Sequence, residues 1–122
     1  MAHPRAQSFR DLIVWKKSIR LVVLCYRLSR ALPSDERFGL ISQIRRASVS
    51  IPTNVAEGYA RPYRQDFRRH VGIALGSLRE VQTLLTLLLE LGFVTAAEAE
   101  ESIACADEVG RMLTAIVRRL AP

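Results

Sequence analysis

Apolar residues recur with helical period along nearly the whole chain. Leu12, Trp15, Ile19, Val22 and Tyr26 follow at alternating steps of three and four. They predict a first helix from roughly Ser8 to Ala31 with that stripe facing the core. Leu32-Pro33-Ser34 ends it, because proline disfavours helical geometry at the residue before it. Ser34 is a natural N-cap, and Asp35 and Glu36 suit the positive end of the next helix dipole. The second helix, roughly Asp35 to Tyr59, carries Ile41, Ile44, Ser48, Ile51 and Val55 on one stripe. Pro52 interrupts it. The ring removes a hydrogen bond to the Ser48 carbonyl and crowds that carbonyl, at about 3 kcal/mol in an unkinked helix. The second helix is therefore expected to be kinked near Pro52, by a bend from Ser48 to Pro52 or as two abutting helices.

Gly58 and the Arg61-Pro62 pair close that segment. The third helix, roughly Tyr63 to Leu91, repeats Phe67, Val71, Ala74, Leu78, Val81, Leu85 and Leu88. Gly92 is a good C-cap, and Thr95 with Glu98 forms the capping box that opens a fourth helix. That helix carries Ala99, Ile103, Ala106, Gly110, Leu113, Val117 and Leu120. Short connections favour antiparallel neighbours. The predicted fold is all-α: an antiparallel up-down-up-down four-helix bundle, one domain over residues 9–122 behind a tail of residues 1–8. Val14, Leu21, Leu24 and Leu28 on the first helix lie off the main stripe, as do Ile73, Leu84, Leu87 and Leu91 on the third. A second apolar face predicts either a wide core stripe or a subunit interface, and the interface is the sharper expectation.

Composition narrows the function classes. The 122 residues are 49% apolar and 25% charged, the balance of a folded protein able to build a core without staples. The two cysteines lie far apart and form no C-x-x-C pair, which argues against a disulfide framework or zinc site. Cys25 and Cys105 fall within helical patterns and are expected in the core rather than as nucleophiles. No uninterrupted apolar run reaches the roughly 18 residues of a membrane span, and the first ten residues lack the apolar stretch of a leader. These absences predict a cytoplasmic protein with no membrane partner, and no motif implies a metal or cofactor.

The net charge is +6. Residues 1–79 hold 15 basic and 5 acidic side chains, whereas residues 80–122 hold 3 and 7. Lys16, Lys17, Arg61, Arg64, Arg68 and Arg69 are the candidate nucleic-acid contacts, able to neutralise backbone phosphates. Tyr59 and Tyr63 flank the arginine cluster and could stack on bases. The competing expectation is a solvated face, or a basic surface meeting the acidic fourth helix of a neighbouring copy. Gln43, Arg46, Ser50, Asn54 and Glu57 share one face of the second helix. With Gly72, Gly76, Ser77 and Glu80 of the third, they predict a buried polar network in which Arg46 pairs with Glu57 or Glu80.

Catalytic signals are sparse, and no catalytic residue is assigned. There is no H-E-x-x-H, P-loop or G-x-S-x-G. Arg64 and His70, with five residues between them, resemble the R-x(4–6)-H motif of HEPN-domain ribonucleases, in which the His would act on the ribose hydroxyl and the Arg on the phosphate. A metal-independent ribonuclease is thus a minor alternative.

Four stretches occur in order: Phe9 to Lys17 (FRDLIVWKK), Leu32 to Leu40 (LPSDERFGL), Ser42 to Gly58 (SQIRRASVSIPTNVAEG) and Ile73 to Glu80 (IALGSLRE). Together they resemble the four-helix bundle proteins encoded by intervening sequences of bacterial 23S ribosomal RNA genes, over roughly Phe9 to Phe93. The set is also similar to the accessory bundle protein of diversity-generating retroelements, which binds nucleic acid and a reverse transcriptase through its basic surface. The resemblance implies a homopentameric barrel and brings no catalytic residues. Gln43, Arg46, Ser50, Asn54 and Glu57 fall in the matched signature, whereas Arg64 and His70 do not. The expected function is a non-enzymatic, oligomeric bundle that binds RNA or DNA backbone. A protein-interaction scaffold, with a partner such as a reverse transcriptase, is the alternative.

Overall fold

The computed structural model describes residues 8–122. The expected tail therefore lies outside the described residues except for Ser8. Ser8 caps a 3-10 turn, Phe9–Asp11, through a reciprocal capping box with Asp11. Leu12 is extended and separates this turn from α1, Ile13–Ser29. α2 spans Ser42–Tyr59, α3 Arg64–Glu90 and α4 Ala96–Arg119. Each helix packs on its chain neighbours, and α4 closes back on α1, which makes the four-helix bundle.

Helix ends follow local chemistry. Thr95 Oγ1 accepts from the Glu98 N–H at 3.1 Å while Glu98 Oε1 accepts from the Thr95 N–H at 2.8 Å. The Thr95 backbone N–H, with a smaller contribution from its hydroxyl, holds the Glu98 carboxyl below the usual carboxylate range. At the end of α3, Gly92 has φ +75°. Its N–H donates to the Leu89 carbonyl and that of Phe93 to the Leu88 carbonyl, the paired bonds that a left-handed glycine allows.

The second helix starts later than its spacing predicts. Ser34–Glu36 form a 3-10 turn and Arg37–Ile41 a wide π-turn, with Gly39 at φ −104° and ψ −112°. Glu36 holds this bend by accepting from the Leu40 N–H at 3.2 Å. Leucine and isoleucine at positions 40 and 41 carry the helical period into the turn, which hides the break from pattern alone. Pro52 lies inside α2, which continues from Ser42 to Tyr59, so two abutting helices do not occur there.

The stripes of α2 and α3 bury as expected: Ile44, Ser48, Ile51 and Val55 meet Val71, Ala74, Leu78, Val81, Leu85 and Leu88 in the core. α1 differs. Its buried face is Val14, Ser18, Leu21, Leu24, Cys25 and Leu28, whereas Leu12, Trp15, Val22 and Tyr26 are half-buried and Ile19 is exposed. Two apolar stripes on one helix share the same period. Only the placement of α2 and α4 decides which becomes the centre. The positions Val14, Leu21, Leu24, Leu28 and Leu84 are therefore core, not interface. Ile73, Leu87 and Leu91 remain exposed. By length and average hydropathy α3 could cross a membrane. Its apolar side is the bundle core, and Arg79 and Glu80 interrupt the run.

Glycine permits the closest helix approaches at Gly58 and Gly110, not at Gly72 and Gly76, which are exposed with nothing within 4 Å of a Cβ placed there. A Cβ on Gly58 would sit 2.5 Å from the His70 Cβ. Gly58→Ala should therefore destabilise the fold by about 1–3 kcal/mol through overpacking. Gly76→Ala, on an open helix surface, should stabilise it by about 0.5–1 kcal/mol. Urea melts of the two variants check the opposite signs.

Candidate nucleic-acid interface

The chain direction gathers the end of α2, the start of α3 and the end of α4 at one pole of the bundle. Tyr59 stacks edge-on against Phe67 with ring centroids 5.5 Å apart, tying α2 to α3. The free carbonyls at the C-terminus of α4 are the next physical requirement, because the last turn of a helix leaves them without partners. Arg64 Nη2 donates to the Arg119 carbonyl at 2.6 Å, Gln65 Nε2 to Leu120 at 3.0 Å and Arg68 Nε to Val117 at 3.1 Å. Two of the six proposed phosphate contacts thus also cap α4, where positive charge offsets the helix dipole. Arg61 and Arg69 are exposed at the same pole, and Arg118 and Arg119 join them from α4. None of these six guanidinium groups lies within 4.0 Å of a carboxylate among the described residues.

The α1 cluster has a different fate. Lys17 Nζ lies 3.3 Å from Glu108 Oε1, and Arg20 pairs with Glu101. The acidic half of α4 neutralises the basic side of α1 within one chain, where the sequence suggested a neighbouring copy. Lys16 is exposed and free of such a pair. Arg45 on α2 is also committed: its guanidinium lies 4.7 Å over the Tyr26 ring and its Nε donates to Ser29 Oγ.

The polar face of α2 is only partly internal. Ser50 and Asn54 are half-buried, whereas Gln43, Arg46 and Glu57 are exposed, as is Glu80 on α3. Arg46 donates to Ser42 Oγ at 3.0 Å and pairs with neither Glu57 nor Glu80. The face straddles the rim of the α2–α3 seam, so only its inner edge meets α3. There Ser77 Oγ donates to Ser50 Oγ at 2.9 Å, and Asn54 Nδ2 donates to the Ser50 carbonyl and hydroxyl. Asn54 Oδ1 is thereby left to accept from His70 Nδ1 at 3.3 Å. This places the imidazole proton on Nδ1 and turns Nε2 towards Arg69 Nη2, 3.4 Å away. Glu57 Oε2 lies 3.8 Å from the same Nδ1. His70 is the buried member that the pattern overlooked. Its place beside Phe67, Val71 and Ala74 on the core stripe is the signal that could have found it.

That burial bears on the ribonuclease motif. His70 faces α2, while the guanidinium of Arg64 reaches α4. Six positions turn a helix by roughly 240°, so the two groups do not share a surface. Burial, with the Cys105 thiol nearby, pushes Cys25 up to about 12, and burial likewise raises Cys105, so neither is a ready thiolate. No cluster of three or more His, Cys, Asp or Glu side chains could hold a metal among the described residues.

The profile of the 23S rRNA-intervening sequence protein family matches residues 10–115, nearly the whole bundle. The chain belongs to that family. The chain is also similar to a protein of unknown function from the S23 ribosomal protein family of Bacteroides thetaiotaomicron, a solved structure, with a TM-score of 0.79 and 27% identity. That likeness covers 86% of this chain and 98% of the other. No curated protein matches. The family assignment agrees with the helical bundle and names no ligand.

The double use of Arg64 and Arg68 has a measurable consequence. Arg68→Ala should lower stability by about 1 kcal/mol through the lost cap, and Arg64→Ala by a similar or smaller amount. Arg46→Ala should change it by less than about 0.5 kcal/mol, as expected of an exposed side chain. Thermal melts of the three variants check the order.

Proposed function

We propose that this family member is a non-enzymatic, self-assembling helical bundle that binds the phosphate backbone of RNA or DNA. The observation that carries the reading is the pole where Arg61, Arg64, Arg68, Arg69, Arg118 and Arg119 meet with no carboxylate partner. Unpaired guanidinium groups at that density repel one another, and a polyanion relieves the repulsion while releasing its own counterions. Lys16 adds to the basic surface, and Lys17 contributes less because Glu108 already holds it.

Self-assembly is supported by a separate surface. Phe9, Trp15, Ile19, Val22, Val49 and Pro52 line an apolar groove of about 350 Å³ between α1 and α2. Ile19 and Val49 are exposed there, and Phe38 in the α1–α2 connection is 89% exposed. Apolar area of this kind favours association, and a ring of about five copies is the closed assembly that the sequence resemblance implies. A ring also repeats each basic pole, so weak contacts on one strand add up.

Binding should fall steeply with salt and depend weakly on base sequence. Titration of single-stranded and duplex RNA and DNA at roughly 50 mM salt is the direct test. No binding to any of them would remove the nucleic-acid reading and leave a protein-interaction scaffold. Light scattering should report a mass well above one chain. Val49→Glu or Ile19→Glu should reduce that mass while leaving the helix content intact, because both sites are exposed. A stable single-chain species at micromolar concentration in the wild type would overturn self-assembly.

A further inference from the structure

The fourth helix is acidic in its first half and basic in its last, a change hidden when residues 80–122 are counted together. Arg111 and Arg118 are seven positions apart, two turns, so they share one face of α4. Across the seam, Arg64, Arg68 and Arg79 fall on the α4-facing side of α3. Arg79, Arg111 and Arg118 line one groove of about 490 Å³ together with Gln82, Asp107 and Thr114. The side chains of Arg111 and Arg118 make no hydrogen bond or ion pair with another described residue.

The groove has a built floor. A Cβ on Gly110 would meet Leu78 Cδ1 at 3.0 Å and Arg79 Nη1 at 3.2 Å, so the glycine is what lets the Arg79 guanidinium lie against α4. Arg79 Nη1 donates to Gln82 Oε1 at 2.8 Å, and Gln82 Nε2 donates to Asp107 Oδ1 at 2.9 Å. Only this amide orientation satisfies both neighbours. It holds Arg79 in place by a neutral link and leaves its other nitrogens free. The one carboxylate in the groove is thereby engaged by an amide rather than by a guanidinium.

We infer that the α3–α4 seam, from Arg64 and Arg68 through Arg118 and Arg111 to Arg79, is the track on which a duplex nucleic acid lays its phosphate backbone. The inference rests on the nucleic-acid reading above and adds where the polymer runs and what form it takes. Arg64 and Arg79 are fifteen positions apart, about 22 Å along the helix axis. At 3.4 Å per nucleotide along a duplex axis, that length spans about six base pairs. Guanidinium groups on both walls suit phosphate oxygens. The groove lining includes no aromatic side chain, whereas single-strand binders stack bases on aromatic platforms. Tyr63, exposed beside Arg64, stands at the pole end of the track, whereas the groove from Arg118 to Arg79 offers charge without stacking and so favours a duplex, whose bases are already stacked.

The test compares two variants of equal charge change. One is Arg79→Gln, Arg111→Gln and Arg118→Gln together; the other is Arg27→Gln, Arg30→Gln and Arg37→Gln, all exposed near the opposite end. Neither set includes the α4-capping arginines. Each is titrated with a 20-base-pair duplex and its single strands across a salt series, with oligomer mass and melting temperature as controls. The seam variant should lose at least about tenfold in duplex affinity, and its slope of log affinity against log salt should shrink by about 2 to 3. The control variant should lose much less, and wild type should prefer duplex to single strand. Equal losses in the two variants, an unchanged slope in the seam variant, or tighter binding of single strands would overturn the inference while leaving nucleic-acid binding standing. Displacement of the duplex by poly-glutamate at equal charge would overturn it too, by marking the seam as a site for acidic proteins. Absence of wild-type binding to every strand would instead end the underlying reading.

Discussion

The passage of α2 across α3 at Gly58 sets how α3 is rotated about its axis, and most of the molecule depends on that setting. With no Cβ on Gly58, the His70 Cβ can come where a side chain would otherwise be. Phe67, His70, Val71 and Ala74 then face inward. Once this face is buried, the flank of α3 beside it is no longer free to vary. Arg64 and Arg68 must rise beside α4, where the unpaired carbonyls of its last turn accept them. Arg79, three to four turns further on, falls on the same edge. One close contact on one face of the helix therefore places the basic row along the edge next to it.

The distribution of charge follows from this packing more than from composition. Counted along the chain, the basic first two thirds and the acidic last third look like two opposed surfaces. In three dimensions the acidic half of α4 lies along α1 and engages Lys17 and Arg20. What remains unneutralised includes the pole at the start of α3 and the seam that leads from it, together with Lys16 on α1 and Arg27, Arg30, Arg37 and Arg46 towards the other end. Surface ion pairs of this kind add little stability. Their larger effect is to subtract charge from one face and so concentrate the net positive field on another.

Two surfaces thus stand out for different reasons. The α1–α2 groove is apolar because α1 carries a wider hydrophobic arc than its two neighbours α2 and α4 can cover. The α3–α4 seam is basic because arginines on both helices border a glycine contact. They lie on opposite pairs of helices in a bundle where each helix packs on its two neighbours. Association through the first would leave the second exposed, which is the arrangement a self-assembling polyanion binder requires. Membership of the 23S rRNA-intervening sequence protein family is consistent with such a bundle and assigns neither surface a role.

The four helices, their antiparallel order and most of the core are legible in the sequence. Helical period, the Thr95–Glu98 box and the Gly92 cap are local properties, set by backbone sterics and hydrogen bonding within a few residues. The core of α2 and α3 was legible for the same reason, since each has one dominant stripe. Tertiary structure decided what local pattern leaves degenerate. On α1 two stripes had equal period, and only contact with α2 and α4 chose Leu21, Leu24 and Leu28 over Leu12, Trp15 and Ile19. The α2 polar face was visible, but its partners were not: Asn54 meets His70, and Arg46 stays at the surface. Arg79, Arg111 and Arg118 are not legible in the pattern because a groove is a property of two packed helices, whose facing arginines here lie more than thirty positions apart. Pairing across such distances depends on helix rotation and crossing, which close packing at Gly58 and Gly110 fixes and no single-helix period encodes.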